Sequence, residues 1–259
     1  MNRKSDGGNG DISLFRKTYP VRIYDLDKNL KVTMPVMCKY FQEVGLSHGA
    51  MVIEDAGIGS DDIVFVITRL QVKMESYPGP GQAMTIESWL SPIHDKYVVR
   101  NFIVYNSKGD IVGTGMNSAV PFSMKERKAG VLPANLDKVQ TLDRKLPVAH
   151  EFGKIALIED HSFEREINVG YFDCDLYRHI NNTKYVEWCL ETLGPVYIEN
   201  NRLCEIDINF RSEGNAGDVL VSRAREDSAV SGLFSHVILN KAGDRDLVRM
   251  KSVWHLQEK

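Results

Sequence analysis

Two segments of the chain carry residues at the spacing that is typical of one buried helical face. In both segments the side chains of this face recur at positions i, i+3, i+4 and i+7. These residues are Met37, Tyr40, Phe41 and Val44 in the first segment, and Tyr185, Trp188, Cys189 and Thr192 in the second. A similar stretch with two acidic positions precedes each segment, Tyr24–Asp27 and Phe172–Asp175. The pattern predicts two related helices, each entered from a similar loop.

Residues at the ends of the two segments predict where these helices begin and end. Thr33 with Pro35 precedes the first helical face, and Asn181–Asn182 precedes the second. Such residues are favoured at helix N-termini. Gly45 and the pair Gly194–Pro195 follow the last positions of the two faces, and both residue types commonly end helices. We therefore predict that the first helix ends at Gly45 and the second near Gly194.

Strand patterns also occur twice, in the same order along the chain. The alternating apolar residues are Leu70, Val72 and Met74 in the first copy, and Ile206, Ile208 and Phe210 in the second. This alternation is typical of a strand with one buried face. Asn106 followed by Gly109–Asp110 then matches Asn240 followed by Gly243–Asp244, and these residue types favour hairpin turns. Three matches in one chain order indicate an internal duplication.

The duplication predicts an α+β fold that is built from two similar halves. Each half has a strand, one long helix and several strands joined by hairpins, and an antiparallel sheet curved around the helix would bury its apolar face. We expect the first half at residues 12–120, a crossover connection at 121–160 with a short helix near 134–142, and the second half at 161–259. The first copy carries extra residues within 48–62. The alternative is a single irregular α+β domain whose internal matches are accidental.

Composition narrows the possible functions. The chain has 259 residues, 43% hydrophobic and 26% charged, with a net charge of −3. These values are ordinary for a globular protein and give no overall positive field that would attract nucleic acid. The first eleven residues lack the apolar segment of a signal peptide, and no apolar run is long enough for a membrane span, so we expect a cytoplasmic protein. The four cysteines include no C-x-x-C pair, so neither a zinc site nor a disulfide framework is expected.

The two copies differ in the loop that enters the helix. The second copy has His179 where the first has Lys31, with Asp175 and Asn181–Asn182 close by in sequence. A helix N-terminus offers N–H groups to a developing oxyanion, and a carboxylate can orient an imidazole. Each residue also has a purely structural explanation, since asparagine caps helices and aspartate closes Asx-turns. As a cluster that is present in one copy only, these residues predict a functional site.

Glu213 marks a second difference between the copies. It follows the strand that contains Ile206 and Phe210, at the position that Tyr77 fills in the first copy. A strand packed against the helix would bring Glu213 towards His179, where a carboxylate can act as a general base for water or as a nucleophile on an acyl carbon. The alternative is an ordinary solvated carboxylate at the surface.

Three longer motifs surround these candidates. Asp173–Tyr185 resembles the pattern D-x-D-x-N-x-H-x-N-N-x-K-Y, and Phe210–Glu213 resembles Y-R-R-E. Thr68–Val72 with Tyr77–Pro78 and Gly81 resembles T-R-x-x-V…Y-P-x-x-G. These are motifs of the acyl-acyl-carrier-protein (acyl-ACP) thioesterase family, whose members release fatty acids from carrier protein, and the similarity covers nearly the whole chain. The resemblance implies two tandem hotdog folds and thioester hydrolysis.

The resemblance also implies roles for individual residues. Asp175, His179 and Glu213 match the acidic, histidine and glutamate members of the family's catalytic site. Tyr177 replaces the family's asparagine, so that side-chain amide is lost, and Gly214 replaces the cysteine that plant members carry after the glutamate. The supporting residues expected around the helix N-terminus are Asn181, Asn182 and Tyr177. Without that cysteine, carboxylate-driven hydrolysis is favoured over thiol chemistry.

The first half, which lacks the histidine, is implied to hold the acyl chain. The candidates on its helix are Met34, Met37, Cys38 and Phe41. They are equally compatible with an ordinary core. No metal or cofactor is expected, because phosphopantetheine arrives on the carrier protein as part of the substrate. Carrier proteins are acidic, so docking requires a local basic patch, for which the candidates are Arg178, Lys184, Lys125, Arg127 and Lys128.

Other functions fit parts of this pattern. An acyl-CoA thioesterase would use the same fold and thioester chemistry. A hotdog dehydratase also uses a histidine and an acid, but the paired asparagines and the strand-end glutamate argue against it. A non-catalytic acyl sensor would have no need of Asp175, His179 and Glu213. The sequence leaves open the acyl-chain length and saturation, whether a homodimer forms, and whether Glu213 acts as base or nucleophile.

Overall fold

The computed structural model describes residues 11–58, 62–93 and 96–257 of the chain. In the first half the strands are β1 (Leu14–Pro20), β2 (Ile63–Met74), β3 (Ala83–Leu90), β4 (Val98–Tyr105), β5 (Ile111–Ser123) and β6 (Lys128–Ala129). In the second half they are β7 (Phe163–Asn168), β8 (Asn201–Phe210), β9 (Val219–Glu226), β10 (Leu233–Asn240) and β11 (Asp246–Leu256). The helices are α1 (Met34–Asp55), α2 (Asn182–Glu191) and α3 (Pro195–Asn200), and short 3-10 helices cover Ile23–Asp25, Ala134–Lys138 and Tyr171–Asp173. The fold is α+β, as predicted.

The strands form one antiparallel sheet whose order repeats. From edge to edge the order is β1-β3-β4-β5-β2-β8-β11-β10-β9-β7, and β6 pairs with β5. In each half the first strand is at the edge, the third, fourth and fifth follow, and the second is innermost. Residues 69–73 of β2 pair with residues 205–209 of β8 and join the halves. The repeated order supports the predicted duplication, and the shared sheet makes the halves one structural unit.

Both predicted helical faces are buried, but α1 is longer than predicted. It continues through Gly45 to Asp55, so the predicted end at Gly45 is wrong. The buried stripe of Val44 extends to His48 and Val52, which are 1% and 4% exposed. Burial of His48 and Val52 in this extension outweighs the cost of about 1 kcal/mol that a glycine brings to a helix interior. The periodicity did not predict the extension because the next residue on the stripe is a histidine.

The structure confirms the predicted end of α2 and both hairpins. α2 ends at Glu191, Gly194 has a φ of +80°, and Pro195 opens α3. Gly109 and Gly243 have φ values of +89° and +76° in the β4–β5 and β10–β11 turns. Only glycine adopts this left-handed region without steric cost, which is why the sequence was informative at these positions.

Residues 151–155 of the crossover connection lie over the β2–β8 seam, on the face of the sheet opposite α1 and α2, whereas its Leu136 and Val139 pack against Val52 and Ala56 at the C-terminal end of α1. Arg69 forms an ion pair of 2.6 Å with Asp207 across the seam and donates to the Gly153 carbonyl at 2.8 Å. Arg249 donates to the Ile155 carbonyl at 3.2 Å. The helix predicted near 134–142 is only a short 3-10 helix. Because the connection covers one face, α1 and α2 share the other, where the candidate site lies.

Candidate functional site

A tight loop presents His179 just before α2. The Asp175 N–H donates to the His179 carbonyl at 2.8 Å, and Cys174 pairs with Ile180 as an isolated β-bridge. Arg178 closes this loop with a φ of +69°, a left-handed conformation that is uncommon for residues with a side chain. The loop backbone therefore fixes the direction in which the imidazole leaves the chain.

The structure brings His179 and Glu213 together, as predicted. Nε2 of His179 lies 3.3 Å from Oε2 of Glu213. The turn after β8 is held beside the loop, because the Ile180 N–H donates to the Gly214 carbonyl at 2.9 Å and His179 pairs with Asn215. The side chains of His179 and Glu213 are 20% and 40% exposed. A partly solvated imidazole and carboxylate in contact can move a proton to or from a water molecule.

The carboxylate of Asp175 is not in contact with the imidazole. Within the described ranges, its Oδ1 accepts from the Tyr177 N–H at 2.8 Å, which is an Asx-turn. In the first half, Asp27 accepts from the Asn29 N–H at 2.9 Å in the same way. Since the first half has no histidine at this place, the shared geometry corrects the expectation that Asp175 orients the ring directly. That Asp175 contributes to catalysis indirectly, by holding the conformation of the loop that carries His179, stays a prediction.

We predict that Asp175→Ala and Asp27→Ala have similar consequences for folding. Asp175→Ala loses one hydrogen bond in a turn and Asp27→Ala loses two, from the N–H groups of Asn29 and Lys31, so the free energy of unfolding should fall by about 1 kcal/mol in the first and by about 1–2 kcal/mol in the second. Asp175→Ala should keep most of its turnover, because no proton transfer passes through this carboxylate. Urea unfolding and steady-state rates for both variants check this. A loss of turnover in Asp175→Ala as large as that of a Glu213 variant, at equal stability, would contradict it.

Arg127 is a site residue that the sequence did not predict in this role. Its Nη2 lies 2.8 Å from Oε2 of Glu213, the oxygen that also faces His179. Arg127 has a φ of +54° in the turn between β5 and β6. Asp62 supports this turn by accepting from Ser123 Oγ at 2.9 Å and from the Lys125 N–H at 2.8 Å. The β5–β6 turn, at the start of the segment predicted as the connection, thus supplies a cation to Glu213 of the second half, a contact that no local pattern could reveal.

The first turn of α2 has one free backbone donor. Asn181 caps the helix: its Oδ1 accepts from the Thr183 N–H at 2.9 Å and its carbonyl from the Lys184 N–H at 2.8 Å. The N–H of Asn182 has no hydrogen-bond partner among the described residues. Of the predicted supporting residues, Asn181 is thus a cap, and Asn182 can serve an oxyanion. The third, Tyr177, is 45% exposed, with its side chain at the surface.

A cavity lies between α1 and α2 and reaches the first turn of α2. Its lining residues are Cys38, Phe41, Gln42, Ile67, Leu70, Asn117, Asn182, Thr183, Val186 and Phe210. Two of the four predicted acyl-binding residues, Cys38 and Phe41, are in this wall. The other two, Met34 and Met37, are 2% and 0% exposed in the core and do not line it. Because Cys38 and Phe41 line the cavity together with Asn182 and Thr183, residues of both halves border it.

Two of the four cysteines, Cys38 and Cys189, are buried in the core. Burial raises the pKa of Cys38 to about 12 and also raises the pKa of Cys189, so both thiols stay protonated at neutral pH. Among the residues with described positions, no cluster of His, Cys, Asp or Glu could hold a metal ion. The helices described above include none with the length and apolarity to cross a membrane.

Comparison with known proteins supports the resemblance seen in the sequence. Residues 13–137 match the family profile of the acyl-ACP thioesterase N-terminal domain, and residues 158–256 match that of the C-terminal domain. A chloroplastic acyl-[acyl-carrier-protein] hydrolase from Cuphea viscosissima is 23% identical over 94% of this chain, which spans 63% of that relative's length. A chloroplastic dodecanoyl-[acyl-carrier-protein] hydrolase from Cinnamomum camphora is 24% identical over 93% of this chain and 67% of its own.

Solved structures share the fold over nearly the whole chain. An acyl-ACP thioesterase from Bacteroides thetaiotaomicron superposes with a TM-score of 0.82 at 18% identity, covering 94% of this chain and 98% of its own. The 12:0-ACP thioesterase from Umbellularia californica gives a TM-score of 0.84 at 22% identity and covers 94% of both chains. Together, the two family profiles account for most of the sequence on either side of the crossover connection. The chain belongs to the acyl-ACP thioesterase family.

Proposed function

We propose that this protein hydrolyses the thioester of fatty acyl-ACP and releases the free fatty acid. The observation that carries the proposal is the contact of Glu213 with His179, three residues before the free N–H of Asn182 at the start of α2. Family membership supports the choice of substrate. The repeated strand order, with one long helix against each half of the sheet, supports two tandem hotdog folds.

The geometry suits attack by a water molecule on the thioester carbonyl carbon. Glu213 takes a proton from the water as the new C–O bond forms, and His179, whose Nε2 is 3.3 Å from Glu213 Oε2, orients the carboxylate for this transfer. The carbonyl oxygen, negative in the tetrahedral intermediate, accepts from the Asn182 N–H at the positive end of α2. The C–S bond then breaks, and the pantetheine thiolate leaves with the proton that Glu213 took from the water, which returns Glu213 to its carboxylate form. Direct attack by Glu213 would use the same contacts and form an acyl-enzyme anhydride before water enters.

Arg127 gives Glu213 a fixed orientation in this scheme. With Oε2 held by Arg127 and His179, the second carboxylate oxygen is left for the attacking water. We predict that Arg127→Met lowers kcat by about tenfold with little change in KM. Without Arg127 the Glu213 carboxylate has several orientations and is less often in the one that takes a proton from water.

Two further variants and one alternative outcome test the positioning role of Arg127. Arg127→Lys should restore part of kcat, because it keeps the positive charge. Arg211→Met is the matched control, since it removes an exposed arginine that pairs with Asp246 at 2.7 Å rather than with Glu213. If Arg127→Met raises KM for acyl-ACP and leaves kcat unchanged, Arg127 serves carrier docking and the positioning role is wrong.

We propose that the first half, residues 12–120, holds the acyl chain. The second half, residues 161–259, would carry the catalytic residues, and residues 121–160 connect the two. Cys38 and Phe41 in the cavity wall support this division. Acyl carrier protein is the proposed partner and brings its own phosphopantetheine. Association into a homodimer and a cytoplasmic location stay predictions.

A substrate panel tests the proposed function. Matched acyl groups on acyl carrier protein and on coenzyme A are offered to the wild type and to Glu213→Gln, and the released thiol is measured. We expect faster hydrolysis of acyl-ACP by the wild type. Faster hydrolysis of acyl-CoA would show that the protein is an acyl-CoA thioesterase. Binding of acyl groups without turnover of either thioester would show an acyl sensor and overturn the hydrolase.

A further inference from the structure

The hydroxyl of Tyr185 is buried next to the candidate site without a hydrogen-bond partner. Tyr185 lies on α2 and is 2% exposed, and its Oη has no partner among the described residues. Burial raises the pKa of this phenol, so the group is a neutral hydroxyl at physiological pH. A buried polar atom without a partner destabilises the folded state, and such an atom is uncommon enough to need an explanation.

Packing of the Tyr185 ring does not explain its hydroxyl. The ring lies edge-on to Trp188, with 5.8 Å between the centroids, and its centroid is 6.3 Å from that of Phe210 on β8. A phenylalanine would keep both ring contacts and would fill the same place without burying an unpaired polar group. The reason for a tyrosine at this position therefore lies in what surrounds its oxygen.

The residues around this oxygen directly follow His179 and Glu213 in the chain. A Cβ at Gly214 would lie 3.0 Å from Tyr185 Oη and 2.5 Å from Ile180 Cδ1, so the hydroxyl and the Ile180 side chain both pack against the Gly214 backbone. Ile180 follows His179, and Gly214 follows Glu213. The Ile180 N–H donates to the Gly214 carbonyl at 2.9 Å. The hydroxyl thus lies on the buried side of the junction that keeps His179 next to Glu213.

A backbone group that also lacks a partner faces the phenol oxygen. The Gly214 N–H forms no hydrogen bond with any residue that the structure describes. It faces Tyr185 Oη and opposes the rise in the pKa of the phenol, although the two groups are not aligned as in a hydrogen bond. Hydrogen bonds in catalytic sites are often long or poorly aligned without substrate and tighten when substrate binds. A small movement of the turn would pair these two groups and fix the backbone next to Glu213.

We propose that Tyr185 is a positioning residue of the site, whose hydroxyl oxygen attracts the Gly214 N–H and so keeps the turn that carries Glu213 beside His179. Tyr185 acts through this turn, since it does not line the cavity between α1 and α2. The proposal rests on the proposed function, because it gives Glu213 the role of base. It deepens that function by adding a residue that holds the base in place.

Tyr185→Phe tests the proposal by removing only the hydroxyl. We expect kcat to fall about tenfold with KM nearly unchanged, because Glu213 is then less often in the geometry that takes a proton from water. The urea midpoint should stay the same or rise, because the variant no longer buries an unpaired hydroxyl. Wild-type kcat in this variant would overturn the proposal.

Two tyrosines of the first half provide matched controls. Tyr19 is also 2% exposed, and its hydroxyl also has no partner among the described residues. Tyr19→Phe should keep both kcat and the urea midpoint, or raise the midpoint. Tyr40 donates to Asp25 at 2.6 Å, so Tyr40→Phe should lower the urea midpoint and leave kcat unchanged. A loss of kcat in Tyr19→Phe as large as that in Tyr185→Phe would contradict a specific role for Tyr185.

A double-mutant cycle with Glu213→Gln tests whether the hydroxyl acts through Glu213. In the Glu213→Gln protein, Tyr185→Phe should cause no further loss of the single-turnover rate, because the group that it positions is already inactive. A further tenfold loss would show that the hydroxyl acts independently of Glu213 and would overturn the positioning role. The cycle uses whichever thioester the wild type hydrolyses fastest.

Hydrogen exchange separates this proposal from the proposed function, because the measurement needs no turnover. Exchange of the Ile180 amide, which donates to the Gly214 carbonyl, is followed by NMR in the wild type, Tyr185→Phe and Tyr19→Phe. We expect exchange at least about threefold faster in Tyr185→Phe than in the other two proteins, even if the wild type hydrolyses no thioester. Equal exchange in all three proteins would overturn the proposal, even if the wild type is an active acyl-ACP hydrolase.

Discussion

Glu213→Gln is expected to lower kcat for acyl-ACP by a factor of about 10²–10⁴, the usual effect of losing a general base. Glutamine has the same shape but cannot take a proton from water. The fold should be unaffected, because the side chain of Glu213 is 40% exposed and its ion-pair partner Arg127 is 53% exposed. Exposed ion pairs of this kind contribute only up to about 1 kcal/mol. Steady-state rates and thermal unfolding measure the two effects separately.

Glu205→Gln is the matched control for this prediction. Glu205 lies on β8, the strand that Glu213 follows, and pairs with Lys73 at 3.3 Å with a similar exposure of 33%. It makes no contact with His179, so its loss should leave kcat unchanged. Wild-type turnover in Glu213→Gln would remove Glu213 from the mechanism and with it the chemistry proposed here.

Gly214→Cys is expected to destabilise the protein by about 1–3 kcal/mol, as overpacking of a filled site does. This change introduces the cysteine that the resemblance attributes to plant members of the family. A Cβ at Gly214 would lie 2.5 Å from Ile180 Cδ1, 2.9 Å from Leu247 Cδ2 and 3.0 Å from Tyr185 Oη. The surroundings would have to move, and the Gly214 carbonyl that accepts from the Ile180 N–H would move with them. Turnover should fall, because this bond keeps His179 beside Glu213.

Ala216→Cys is the control that distinguishes overpacking at position 214 from the presence of a thiol in this turn. Ala216 is exposed in the same turn, so a cysteine there should leave both the urea midpoint and turnover near wild type. Gly214→Cys with wild-type stability, or with a rate increase that iodoacetamide removes, would show that this site accepts a thiol nucleophile after all.

The helices and hairpins could be predicted because their signals are local. The faces around Phe41 and Cys189 follow from residues a few positions apart, and Gly109 and Gly243 mark turns that require positive φ. The extension of α1 past Gly45 could not be predicted. It depends on the burial of His48 beside Arg100, which comes from β4.

Parts of the candidate site followed from comparing the two copies with each other. His179 and Glu213 stand out because Lys31 and Tyr77 occupy the matching positions, and the structure brings the pair to 3.3 Å. In the structure Asp175 is a turn residue like Asp27, since each accepts from the N–H two residues further along the chain. A sequence pattern could not distinguish that bond from one to the imidazole.

The sequence by itself determined the duplicated α+β architecture, the family and the residues at the centre of the candidate site. Periodicity and turn chemistry act over a few residues, and motifs are read directly from the chain. Only the tertiary structure decided which groups from distant parts of the chain meet: Arg127 with Glu213, and Cys38 and Phe41 with Asn182 around one cavity. These contacts depend on the pairing of β2 with β8 and on the packing of α1 against α2. Such long-range geometry leaves no trace in the spacing of residues along the chain.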